Sequence, residues 1–111
     1  MGSGWIDLKI DGIASIEKVV AEFIIGELNY TPYSKFKVKI VEKQKGGYIG
    51  YTNLFVKDDE GYPSPEVGIG DTIEEALKNT IEIFIEQLKK RKEDKGKLEE
   101  EDFEYADSFD F

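Results

Sequence analysis

"IASIEKVVAEFIIGEL", residues 13–28, decides how the rest of this chain is arranged. Its apolar residues Ile13, Ile16, Val20, Phe23, Ile24 and Leu28 recur at spacings of three and four, which predicts one helical stripe. The stripe ends between Gly26 and Asn29, and "NYTPYS" (29–34) breaks it, because Pro32 biases Thr31 away from helical geometry. Upstream, "WIDLKID" (5–11) alternates Ile6, Leu8 and Ile10 to one side, the pattern of an extra N-terminal strand or an extended arm.

Downstream, the period changes to two. In "SKFKVKIVEKQ" (34–44), Phe36, Val38 and Ile40 point one way and Lys35, Lys37 and Lys39 the other, a strand with one wet face. "KGG" (45–47) is hairpin chemistry and leads into a second strand, "YIGYTNLFV" (48–56). A proline-marked connection, "KDDEGYPSP" (57–65), precedes a short third strand in "EVGIG" (66–70). "DTIEEALKNTIEIFIEQLKKRK" (71–92) is a second helix with Thr72 as N-cap and Glu75 completing a capping box. Its expected buried stripe is Ile73, Ala76, Leu77, Ile81, Phe84 and Leu88. The expected fold is an α+β two-layer sandwich, α-β-β-β-α. Both helices pack on one face of a three-stranded antiparallel sheet, and the lysine face stays wet.

Composition narrows the chemistry. The chain has 111 residues, without cysteine or histidine, which removes thiolate nucleophiles, disulfides and the commonest general base and metal ligand. Adjacent carboxylates such as Asp58/Asp59 and Glu74/Glu75 do not face one another across a shared apolar pocket. The expectation is therefore a non-enzyme, with no catalytic residue, no metal and no cofactor. No apolar run reaches bilayer length and no secretory signal opens the chain, so a cytoplasmic protein off the membrane is expected. Residues 1–5 read as a vector-derived leader, 6–97 as one domain and 98–111 as a tail.

The net charge is −9. Seven of the 24 acids and none of the 15 bases fall in 98–111, which leaves the rest at −2. The tail ends "EDFEYADSFDF" (101–111), four rings among five carboxylates. Phe103, Tyr105, Phe109 and Phe111, with Glu100, Glu101, Asp102, Asp107 and Asp110, are the expected partner-binding residues. Rings supply the anchors, and acids steer towards a protein with a basic surface or imitate a phosphate path. The end is similar to the acidic, phenylalanine-terminated tails of single-stranded-DNA-binding proteins, a likeness that implies recruitment of other proteins.

Three further stretches have an alternative use. The row Lys35, Lys37, Lys39 can track a phosphate backbone, although nucleic acid is the less favoured partner for so acidic a chain. Gly68-Ile69-Gly70-Asp71-Thr72 can cradle an anion at a helix start, against the plainer reading of a capped turn. Asp58-Asp59-Glu60-Gly61 resembles a calcium loop whose ligands are out of register, and reads better as a solvated turn. The third-strand edge leaves a homodimer open.

Two families are similar over about residues 13–90. "VGIGDTIEEALKNTIEIFIEQL" (67–88) resembles the end of a double-stranded-RNA-binding domain, where a Gly-x-Gly-x-Ser/Thr step leads into the second helix. That resemblance implies the α-β-β-β-α order and lysines gripping phosphates; of Ile73 to Lys78, only Lys78 keeps such a charge. With "GGYIGY" (46–51), the residues Gly70, Asp71, Thr72, Glu74, Glu75, Ala76 and Leu77 also resemble the HicB-type antitoxin module. The Pro-Asp-Leu-Pro-Gly signature of that family is replaced here by "FVKDDEGYPSPEV" (55–67). This likeness implies a non-catalytic inhibitor of an RNA-cutting toxin.

Overall fold

The computed structural model describes residues 4–107 and Phe111. The deciding stretch is a strand. β1 (Glu17–Gly26) pairs antiparallel with β2 (Lys35–Lys43), and β2 pairs with β3 (Tyr48–Thr52). β4 (Leu54–Val56), β5 (Gly68–Gly70), the helix α1 (Ile73–Lys95), a 3-10 turn (Glu100–Asp102) and β6 (Phe103–Tyr105) follow. The main sheet has the order β1-β2-β3-β5, and β4 and β6 form a second, two-stranded sheet.

This corrects the expected fold class in three respects. The class is α+β, but among the described residues a single α-helix covers a four-stranded antiparallel sheet, with a two-stranded sheet beside it. Ile13, Ile16 and Leu28 of the expected stripe lie outside β1, and inside it a β-bulge breaks the period of two. The register with β2 slips between Val19 and Ala21, so Val20 is an extra residue, and Val20, Ala21, Phe23 and Ile25 all pack against the core. Three members of the supposed stripe, Ile13, Ile24 and Leu28, are exposed. Val19, Val20, Ile24 and Ile25 are β-branched, which restricts them in a helix and suits a pleated strand.

The N-terminal strand is also absent. Residues 5–11 form turns and irregular chain with Leu8 and Ile10 exposed, held by Gln44 Nε2 donating to the carbonyls of Trp5 (2.8 Å) and Leu8 (2.9 Å). Finally, 48–56 divides at Asn53. Its N–H donates to the Lys37 carbonyl at 3.0 Å, its Oδ1 accepts from the Lys37 N–H at 2.8 Å, and its carbonyl accepts from Ala106. With its hydrogen bonds committed in two directions, Asn53 turns the chain out of the main sheet and β4 leaves to meet β6.

The expected hairpin and second helix are present. Gly46 and Gly47 take φ of 95° and 83° between β2 and β3, as the tight turn needs. Thr72 caps α1 by accepting the Glu75 N–H at 3.0 Å. α1 lies on β3 and β5 with Ala76, Thr80, Phe84 and Leu88 buried at steps of four, one face of the helix. Across from them lie Phe36, Val38 and Ile40, each worth about 1.5–3 kcal/mol when fully buried. Gly50 and Gly68 pass so close to Thr80 that a β-carbon at either would collide with it.

Candidate functional sites: an acidic ridge and an open sheet face

The residues expected to form a tail begin as part of the fold. Gly96 ends α1 at φ 94°, and Leu98 is buried. In the following 3-10 turn, Asp102 folds back under the helix. Its carboxylate accepts from Lys95 Nζ at 2.7 and 2.9 Å and from the Glu99 N–H at 2.8 Å, while Arg91 Nη2 stands 3.8 Å away. Only 4% of Asp102 is exposed. Burial pushes its carboxyl up, but the Glu99 N–H and the Lys95 and Arg91 charges outweigh burial and hold it below the usual carboxylate range. The bond to Asp102 raises the Lys95 ammonium in return. Arg91 also pairs with Asp59, and its Nε is buried without a hydrogen-bond partner.

β6 then pairs with β4, matching Val56 with Phe103 and Leu54 with Tyr105. Phe103 enters the core and meets the Tyr33 ring edge-on at 5.9 Å between centroids. Tyr33 lies 5.3 Å from the Tyr105 ring, and burial, Tyr105 and Glu100 together raise its hydroxyl pKa. Anchored this way, Glu99, Glu100, Glu101, Glu104 and Asp107 stand exposed around a half-exposed Tyr105. They form a ridge carried by the 3-10 turn and β6.

The expected partner-binding residues therefore separate. Asp102 and Phe103 are inside the fold; Glu100, Glu101, Tyr105 and Asp107 face solvent; Phe109 and Asp110 lie outside the described residues. Phe111 is elsewhere, on the sheet.

The second surface is the face of the main sheet opposite α1. Strand alternation turns Lys35, Lys37 and Lys39 outwards. Register puts Ile24 beside Lys37 on one side, and Lys39 between Glu22 and Tyr51. Ile24 is 69% exposed and Ile69, at the far edge, 64%. Lys39 Nζ donates to the Phe111 backbone oxygen at 2.8 Å and lies 4.8 Å from the Phe111 ring centroid and 5.9 Å from that of Tyr51. Burial, with Glu17 nearby, raises the Tyr51 hydroxyl pKa.

The other two sequence motifs resolve into local structure. At the start of α1, the Glu75 carboxylate reaches back to the Asp71 N–H at 3.4 Å, so the protein's own groups occupy the place where an anion would sit. Asp58 accepts the N–H groups of Glu60 (2.9 Å) and Tyr62 (3.0 Å), an Asx turn. A polar cavity of about 420 Å³ lies between this turn and α1, bordered by Asp59, Gln87 and Arg91.

Sequence reasoning missed Arg91 and Lys95 as anchors and Thr80 as a core residue. The first two stand among solvated lysines of the last turns, with nothing local to single them out. Thr80 had a signal: glycines at 50 and 68 announce a close backbone approach, which requires a small residue opposite.

The class defined by these elements is a small α+β protein with one helix on a four-stranded antiparallel sheet. No family model matches the chain, and neither a curated protein nor a solved structure is found to resemble it. Among the described residues no helix is long and apolar enough to cross a membrane.

Proposed function

We propose that this chain is a non-catalytic protein-binding module, a small inhibitor or adaptor of a nucleic-acid-handling protein, and that the ridge around Tyr105 is its contact surface. One observation carries the reading: Asp102 and Phe103 fasten the ridge to the core, so its exposed acids and ring are presented on fixed backbone. Preorganisation lowers the ordering cost of binding. Tyrosine is a common anchor of protein interfaces, and surrounding carboxylates accelerate encounter with a basic surface. A protein that grips phosphates has such a surface.

The test is affinity capture from the native host with the wild-type chain and a Glu100→Lys/Glu101→Lys/Tyr105→Ala variant. All three side chains are exposed, but Glu101 accepts from Lys95 Nζ at 3.3 Å and the Tyr105 ring lies 5.3 Å from that of Tyr33. A urea midpoint close to the wild type's must therefore accompany the capture to show that fold and anchor survive. The variant is expected to lose a protein that the wild type retains, and that protein should bind nucleic acid by itself. Identical capture by both would refute the ridge as contact surface.

A second reading, an RNA-binding domain using Lys35, Lys37 and Lys39, has the outward lysine row beside Tyr51 in its favour. Duplex RNA binding that weakens steeply with salt, and is abolished by reversing Lys35 and Lys37, would replace the first reading.

A further inference from the structure

The open face of the sheet carries a seat of its own, joined to the ridge through Phe111, whose N–H donates to the Asp107 carbonyl at 3.0 Å. Lys39 presents its ammonium between two rings, those of Tyr51 and Phe111, and donates to the Phe111 backbone oxygen. Phe111 is thus already bound there in the manner of a ligand, by one cation–π contact and one charge-assisted hydrogen bond. The seat continues into Lys37 and Lys35, spaced at alternate strand positions about 6.8 Å apart. An extended peptide has the same repeat between side chains on one face, so its alternate carboxylates can meet successive lysines. Ile24, exposed beside Lys37, adds an apolar contact.

We propose that this face docks an acidic, aromatic-bearing segment of a partner protein, with its ring in the Lys39–Tyr51 seat, and that Phe111 fills the seat in cis as a built-in competitor. A nucleic acid fits the face less well. Glu22 stands beside Lys39 and lies 4.0 Å from Lys37, so a docked strand must carry no charge at that spot; a peptide can place an uncharged residue there, whereas every nucleotide brings a phosphate. The proposal concerns a surface other than the ridge, so either can fail without the other.

The experiment uses the full chain and a fluorescein-labelled peptide of residues 104–111 as probe. Phe111→Ala should bind the peptide about five- to tenfold more tightly than the wild type, the factor removed when a cis occupant fills a seat roughly 80–90% of the time. Adding Lys39→Glu should weaken binding at least about tenfold. In the wild type, the Lys39 side-chain resonances should show a ring-current shift that Phe111→Ala reduces to the Tyr51 contribution and protein concentration leaves unchanged. Equal peptide binding by wild type and Phe111→Ala, or none by either, overturns the proposal. So does indifference to Lys39→Glu, or displacement of the peptide by single-stranded RNA at lower concentration than by unlabelled peptide. A Lys39 shift that grows with concentration would assign the ring to a second copy and overturn the cis arrangement.

Discussion

The two faces of the main sheet are built from the same strands and obey different rules. On the covered face, Phe36, Val38 and Ile40 meet α1, and Gly50, Gly68 and Gly70 let the backbones approach until no β-carbon fits. On the open face the same alternation sets Lys35, Lys37 and Lys39 beside exposed Ile24 and half-buried Tyr51. Substitution on the covered face should be read as lost stability; substitution on the open face should be read as lost contacts with something else. Because the period is two, one strand serves both purposes with neighbouring residues.

The largest effect expected on the covered side is at Leu88, which is fully buried in the helix stripe. Leu88→Ala should cost about 3–4 kcal/mol, the range for a buried leucine whose site cannot collapse, read as a lower urea midpoint at unchanged slope. Gly68→Ala comes next. Its new methyl would collide with the Thr80 backbone as well as its hydroxyl, so a loss of about 1–3 kcal/mol is expected, with β5 displaced from α1. A Gly68→Ala chain as stable as wild type would mean that the close approach is dispensable.

The acidic ridge belongs energetically with the covered face, because Asp102 holds it down. Asp102→Asn should cost about 1–3 kcal/mol at neutral pH, since it leaves Lys95 and Arg91 without their shared carboxylate. The pH dependence follows from the two shifts. Asp102 is held below its unfolded value, so its contribution is complete above the ordinary aspartate range and disappears as pH falls through the folded pKa. Lys95 is raised, so its share is complete below the ordinary lysine range and disappears as pH rises through its folded pKa. Wild type and Asp102→Asn should therefore differ most across neutral pH and converge in strong acid. Parallel stability curves down to the lowest pH would show that the buried carboxylate is not what anchors the ridge.

How much of this was legible beforehand depended on whether local pattern and tertiary pairing agreed. In α1, the Thr72 cap and the apolar stripe point to one structure, and the helix forms there, running three residues past the expected Lys92 before Gly96 ends it. In β2 the alternation of lysine with apolar residues sets both faces from Lys35 to Ile40 and breaks at Val41, which lies on the lysine face and is buried. In 13–28 they disagreed: a bulge at Val20 put two neighbouring residues inside, and a broken period of two imitates a period near 3.6. What settles that segment is the hydrogen-bonding edge of β2, which no local window contains. The segment after Gly96 failed for a related reason. Acidic composition reads as solvated chain, yet Asp102 finds Lys95 and Arg91 on a helix that only folding brings beside it, and Phe103 finds Tyr33.

The smallest stability effect and the sharpest contrast belong together on the open face. Lys37 pairs with Glu22 at 4.0 Å, both side chains about half exposed, a geometry worth roughly 0–0.5 kcal/mol. Lys37→Ala should therefore leave the urea midpoint almost where it was, and Ile24→Ser, at a position 69% exposed, should shift stability by no more than about 0.5 kcal/mol. If the open face is a contact surface, the same two substitutions in the Phe111→Ala background should weaken the 104–111 peptide severalfold while the melts stay superimposable. Should either substitution unfold the chain instead, the open face would be a second structural face, and the division between the two sides of the sheet would not hold.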